Sequence, residues 1–148
     1  MVTGGVDGIL KIWDIKSGEE IDRYILPATI PGNGVEPRII TIAFSPDGSK
    51  ILMRLRGIER VLWDIKSRRV ILSGKITSLN FTADGSKVLR SDYMTGRVAL
   101  LDPDSGKVMW KIQESSRKLG VTDTAISNDG HYIVSQPQLN REVRVWDA

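Results

Sequence analysis

Apolar positions along this chain recur with a period of two. Leu10 and Ile12 alternate with Lys11 and Trp13, Val143 and Val145 alternate with Arg144 and Trp146, and Val98 and Leu100 flank Ala99. A strand shows successive side chains to opposite faces, so short alternating runs broken by turn residues read as half-buried β-strand. No stretch of eleven or more residues carries a helical stripe. The pattern predicts strands at 2–6, 9–14 and 19–26; at 39–44, 50–56, 59–64 and 69–73; at 76–81, 87–91, 97–102 and 107–112; and at 121–126, 132–136 and 142–147. With four strands per set named a to d, the chain reads b-c-d, two complete sets, then a-b-c.

One frame organises these strands. Ser45-Pro46-Asp47-Gly48 makes a turn in which glycine supplies the positive φ, and two apolar runs later the segment closes on Trp63-Asp64. Asp84-Gly85 leads in the same way to Leu101-Asp102, and Asp129-Gly130 to Trp146-Asp147. From turn Asp to closing Asp the spacings are 17, 18 and 18 residues. A partial copy runs from Asp7-Gly8 to Trp13-Asp14. Successive closing aspartates stand 50, 38 and 45 residues apart, so one supersecondary unit is used repeatedly.

These residues resemble the WD-repeat β-propeller family: the Asp-Gly turns between strands a and b, Trp13-Asp14, Trp63-Asp64 and Trp146-Asp147 ending strand c, and the Ser17-Gly18 and Ser105-Gly106 turns before strand d. The repeat lengths bracket the 40–45 residues of that family. The resemblance covers nearly the whole chain and implies an all-β fold, with blades of four antiparallel strands in an incomplete or open ring. The implied pieces are a partial blade at 1–26, blades at 39–73 and 76–112, and a partial blade at 121–148. No Gly-His dipeptide precedes any strand a, and Leu101 stands where a Trp is expected. In the family a His, a turn Asp, a strand-b hydroxyl and the Trp often form a hydrogen-bonded network. Only Asp7 and Asp92 could supply the turn Asp, so the expectation is blades held by apolar packing and ladders alone. Three and a half blades fall short of the 4–8 of a ring. Open strand edges predict either a longer propeller or self-association.

Composition adds one anomaly. The net charge is +3. Residues 1–48 hold 4 basic and 7 acidic side chains, residues 49–72 hold 7 and 2, and residues 73–148 hold 10 and 9. The basicity therefore belongs to one repeat, which does not suit a uniformly basic nucleic-acid coat. Arg54, Arg56, Arg60, Arg68 and Arg69 form the candidate patch for an anionic partner, such as an acidic peptide, a nucleic acid or a lipid headgroup. The alternative is that these arginines lie along apolar surface or pair with acids of the adjacent blade. The loop at 27–38, with three of the six prolines, is a candidate partner loop through Ile30, Asn33, Val35 and Arg38, or else a slack connection.

Catalytic chemistry finds little purchase. His131 is the one histidine and Cys is absent, so neither a metal site nor a cofactor is expected, and no nucleophile elbow or phosphate-binding glycine motif occurs. The acids Asp14, Asp64, Asp102 and Asp147 fall at repeat-equivalent positions, which suits turns and not a general-acid pair. No apolar run spans a membrane, and the N-terminus has no basic start and apolar core. With no Cys, the expectation is a cytoplasmic chain. The resemblance implies a non-catalytic scaffold for other proteins or peptides; nucleic-acid binding through the basic repeat is the second reading.

Overall fold

In the computed structural model the described residues are 1–26, 38–56, 59–92, 94–113, 120–137 and 142–148, with the side chain of Glu59 left out. They form four antiparallel sheets and no helix. The first sheet joins β1 (Val2–Gly4), β2 (Ile9–Trp13) and β3 (Glu20–Ile25) in that order. The second joins β4 (Ile39–Phe44), β5 (Lys50–Leu55), β6 (Glu59–Asp64) and β7 (Arg69–Lys75). The third joins β8 (Ser78–Phe81), β9 (Val88–Asp92), β10 (Arg97–Leu101) and β11 (Val108–Gln113). The fourth joins β12 (Val121–Ile126), β13 (Tyr132–Pro137) and β14 (Arg144–Asp147). Every sheet is a meander in chain order, as short turns between consecutive antiparallel strands require. The expected strand at 76–81 begins two residues later, at Ser78. Ile76 is buried just outside it, and the Thr77 N–H donates to the Ser91 carbonyl at 2.9 Å.

Register irregularities repeat with the unit. The ladder shifts between Ile12 and Trp13 and again between Leu100 and Leu101, both at the end of strand c. It also shifts between Ile39 and Thr41 and between Val121 and Asp123, both at the start of strand a. An extra residue at each place bends the strand and increases its twist.

The described residues divide into two compact units, Met1–Phe44 with Gly48–Gly74, and Ser45–Asp47 with Lys75–Ala148. In the first, Leu10, Tyr24 and Leu26 of the first sheet and its flank pack with Ile39, Ile51, Met53, Leu55, Val61 and Trp63 of the second. Ile51, Met53 and Leu55 share one face of β5 because strand parity puts them there. Gly4 permits the close approach of β1 to β4: a Cβ on Gly4 would stand 2.7 Å from Ile39 Cγ2 and 3.2 Å from Ile39 Cβ. In the second unit, Leu89, Val98, Leu100, Val121 and Ile133 form the core, with Trp110, Ile112, Ile126 and Trp146 packed against it. Fully burying such a side chain contributes about 1.5–3 kcal/mol, more than any exposed ion pair, so these cores hold the sheets together.

Candidate functional site

The aspartates of the repeated frame that precede Asp147 work inside their own turns. In the a–b turns the hydroxyls of Ser45, Thr82 and Ser127 donate to Oδ1 of Asp47, Asp84 and Asp129 at 2.5, 2.6 and 2.5 Å. The glycines that follow, Gly48, Gly85 and Gly130, take φ of 74°, 74° and 76°. The Thr82 hydroxyl, then that of Ser86, holds the Asp84 carboxyl at about 2. The Ser127 hydroxyl and the His131 N–H likewise lower Asp129. In the c–d turns Asp14 Oδ1 accepts the N–H groups of Lys16 and Ser17 at 2.7 and 2.8 Å. Asp64 Oδ1 accepts the Ser67 N–H and hydroxyl at 2.6 and 2.5 Å, and Asp102 Oδ1 takes the same pair from Ser105 at 2.7 and 2.5 Å. These side chains mimic a backbone turn and hold it shut. Donated hydrogen bonds favour the carboxylate, so Asp14 and Asp64 are both lowered, chiefly by Ser17 and Ser67 respectively. The same wiring recurs in the b–c turn of the third sheet, where Asp92 Oδ1 accepts from Met94 and Thr95 at 2.9 and 3.2 Å.

The tryptophans correct one expectation. Trp13 Nε1 donates to Thr3 Oγ1 at 2.7 Å and Trp146 Nε1 donates to Ser135 Oγ at 2.8 Å. The first and fourth sheets are therefore each cross-linked internally by a Trp–hydroxyl bond, beyond apolar packing and ladders. In the second sheet the matching strand position is Met53, two residues past Ile51, the ladder partner of Trp63. A thioether offers only a weak acceptor. Trp63, 5% exposed, keeps a buried Nε1 with no hydrogen-bond partner among the described residues. Among the described residues no three His, Asp or Glu converge to hold a metal ion.

No family model matches the chain. Over 102 residues, 63% of this chain, it is 28% identical to the guanine nucleotide-binding protein subunit beta of Nicotiana tabacum, 26% of which is covered. The same name, identity and coverage hold for Solanum tuberosum. The Schizosaccharomyces pombe protein of that name is 34% identical over 97 residues, 62% of this chain and 29% of its own length. The chain thus spans about a quarter of the curated relatives it matches. The four meandering antiparallel sheets and the repeated Asp-Gly and Trp-Asp frame have the form of WD-repeat propeller blades.

On this WD-repeat scaffold the five arginines of the basic blade do not form one patch. Arg54 lies on β5 opposite Arg60 of β6, and Arg56 follows the end of β5. Arg68 and Arg69 sit at the other end of the same sheet, in the c–d turn and at the start of β7. Arg68 is engaged: its Nη2 lies 3.3 Å from Asp22 Oδ2, and its guanidinium stacks 4.9 Å over the Tyr24 ring. Tyr24 in turn donates to Asp22 at 2.5 Å and sets its ring edge against Trp63, with centroids 6.1 Å apart. The Tyr24 hydroxyl, the Arg23 N–H and Arg68 together lower Asp22. Arg68 also has φ of 58°, in the position that Gly18 and Gly106 take in the sister turns. Aligning Asp64-Ile-Lys-Ser-Arg68 with Asp14-Ile-Lys-Ser-Gly18 would have found it. Of the candidate partner loop, Ile30, Asn33 and Val35 lie outside the described residues; Arg38 is exposed next to β4. His131 is exposed and donates its N–H to Asp129 at 3.1 Å. Among the described residues no helix is long and apolar enough to cross a membrane.

Proposed function

We propose that this chain is a non-catalytic scaffold that holds protein partners, and that its blades belong to a longer propeller. One observation carries the reading: the polar groups of the repeat are consumed by turn-closing bonds within each blade, which stiffens the blades and leaves their strand ends to contact other molecules. The relatives support it, because each is named as a subunit, a chain that works inside an assembly. Their greater length supports the longer ring. The test is cross-linking in the native cell at native expression level, followed by reconstitution from purified components. The expected result is a protein partner bound by the purified chain at fixed stoichiometry. Recovery of no stoichiometric partner in either experiment would overturn the reading. Light scattering on the purified chain decides self-association separately: a discrete cooperative dimer means that blades are completed in trans, and a broadly melting monomer means that they are not.

A further inference from the structure

Arg38, a residue outside the basic repeat as read from the sequence, completes a cluster at one end of the second sheet. The Arg56 N–H donates to the Arg38 carbonyl at 2.8 Å, which fixes the start of β4 beside the end of β5. Arg54 faces Arg60 directly across the β5–β6 ladder. Four guanidinium-bearing residues thus stand on or beside β4, β5 and β6 at one end of the sheet, with Arg38, Arg54 and Arg56 all exposed. Among the described residues no carboxylate pairs with any of those three. Like charges gathered on neighbouring residues repel one another, so placing Arg38, Arg54 and Arg56 together runs against the interest of the fold alone. An anion laid across it would reverse the sign of that interaction.

We propose that Arg38, Arg54, Arg56 and Arg60 form the docking surface for an acidic segment of a partner protein, its carboxylate or phosphate groups taking forked hydrogen bonds from the guanidiniums. This deepens the scaffold reading and rests on it. Three adjacent strands span about 10 Å, the length of roughly three extended peptide residues. Arginine suits such a site because its planar fork matches carboxylate and phosphate oxygens. The size and surroundings of the cluster favour a peptide over a nucleic acid. The basic charge of the blade is not continuous, since Arg68 and Arg69 lie about 15–20 Å away along the strands, beyond a Debye length. Single-stranded nucleic acids also need aromatic platforms. Those of this sheet, Phe44 and Trp63, lie at its opposite end, where Trp63 is buried.

The test uses the whole chain and fluorescence anisotropy with three labelled probes: a Glu-rich peptide, a serine-containing peptide carrying phosphates in place of the glutamates, and a single-stranded oligonucleotide of equal charge. The chain is expected to bind at least one peptide, more weakly as salt is added. Arg38→Gln alone should weaken that binding by about tenfold, the loss of one forked contact, and Arg54→Gln with Arg56→Gln by about a hundredfold, the loss of two. Lys66→Gln with Arg69→Gln, the same charge change at the far end, should weaken it less than about twofold. Preference between the two peptides tells a carboxylate ligand from a phosphate one. Thermal melting of each variant checks its fold, and because Arg38 lies outside the strands its variant tests the surface even if the double variant melts early. No binding of either peptide, equal loss at both ends, or tighter binding of the oligonucleotide would overturn the proposal. A protein partner captured undiminished by the Arg38 and Arg54/Arg56 variants would sink this surface and leave the scaffold reading standing.

Discussion

Arg68 allows the backbone and the side chain of one residue to be weighed against each other. Its φ of 58° lies in the left-handed region where Gly18 and Gly106 stand at 75° and 68°. A Cβ there costs roughly 1–2 kcal/mol, while glycine loses about 0.5–1 kcal/mol more chain entropy on folding, so removing the Cβ should stabilise by ~1 kcal/mol. The side chain works the other way. Its guanidinium, 4.9 Å over Tyr24, contributes about 0.5–1 kcal/mol as an exposed cation–π contact. Its pair with Asp22, on a side chain 63% exposed, is screened by solvent and adds little. Arg68→Gly should therefore be close to neutral. Arg68→Ala keeps the strained backbone and loses the contacts, so it should fall about 1 kcal/mol below Arg68→Gly, or about 2–4 °C in Tm for a chain of this size. Urea unfolding followed by tryptophan fluorescence reads this well, since Trp63 lies edge-on to Tyr24. An alanine variant as stable as the glycine variant would refute the backbone strain. One as stable as the parent would refute the Tyr24 and Asp22 contacts.

Acid should melt the blades through their turns. Glu20 is held at about 2 against an ordinary 4.5, first by Arg23 and then by Lys11, and Asp84 is held at about 2 against 3.8. Lowered carboxylates stabilise above their unfolded values and lose that contribution as pH falls through the folded ones, so thermal stability should drop between pH 4.5 and pH 2 and stay flat just above. Asp84→Asn should flatten part of that slope. Ser135→Ala should cost about 1–2 kcal/mol by orphaning the partly buried Trp146 Nε1, readable as a fall in Tm. Trp63→Phe removes an N–H that already has no partner, so its cost should be that of lost ring volume alone, visible as a null hydrogen-bond coupling in a double-mutant cycle with Met53→Leu. Gly4→Val should destabilise by about 1–3 kcal/mol in urea unfolding, because its side chain would collide with Ile39.

The strand order was legible because period-two alternation and Asp-Gly turns are local signals, read a few residues at a time. That is why β4, β6 and β12 fall where the pattern puts them, at Ile39–Phe44, Glu59–Asp64 and Val121–Ile126. The turn aspartates were legible for the same reason: Asp64 reaches only as far as Ser67, three residues on. Relations between distant segments were not. Trp13 and Thr3 bond across a ladder whose register no single strand declares. The five arginines of one repeat look like a single patch in sequence, yet an extended strand carries Arg54 and Arg68 to opposite ends of a sheet. Arg38, far from Arg56 along the chain, is brought beside it by one backbone bond. The repeat, its all-β character and the chemistry of its turns are readable along the chain, because they depend on backbone preferences of neighbouring residues. Which charges gather and which are neutralised emerges only on folding, because Coulomb interactions follow distance in space and not along the chain.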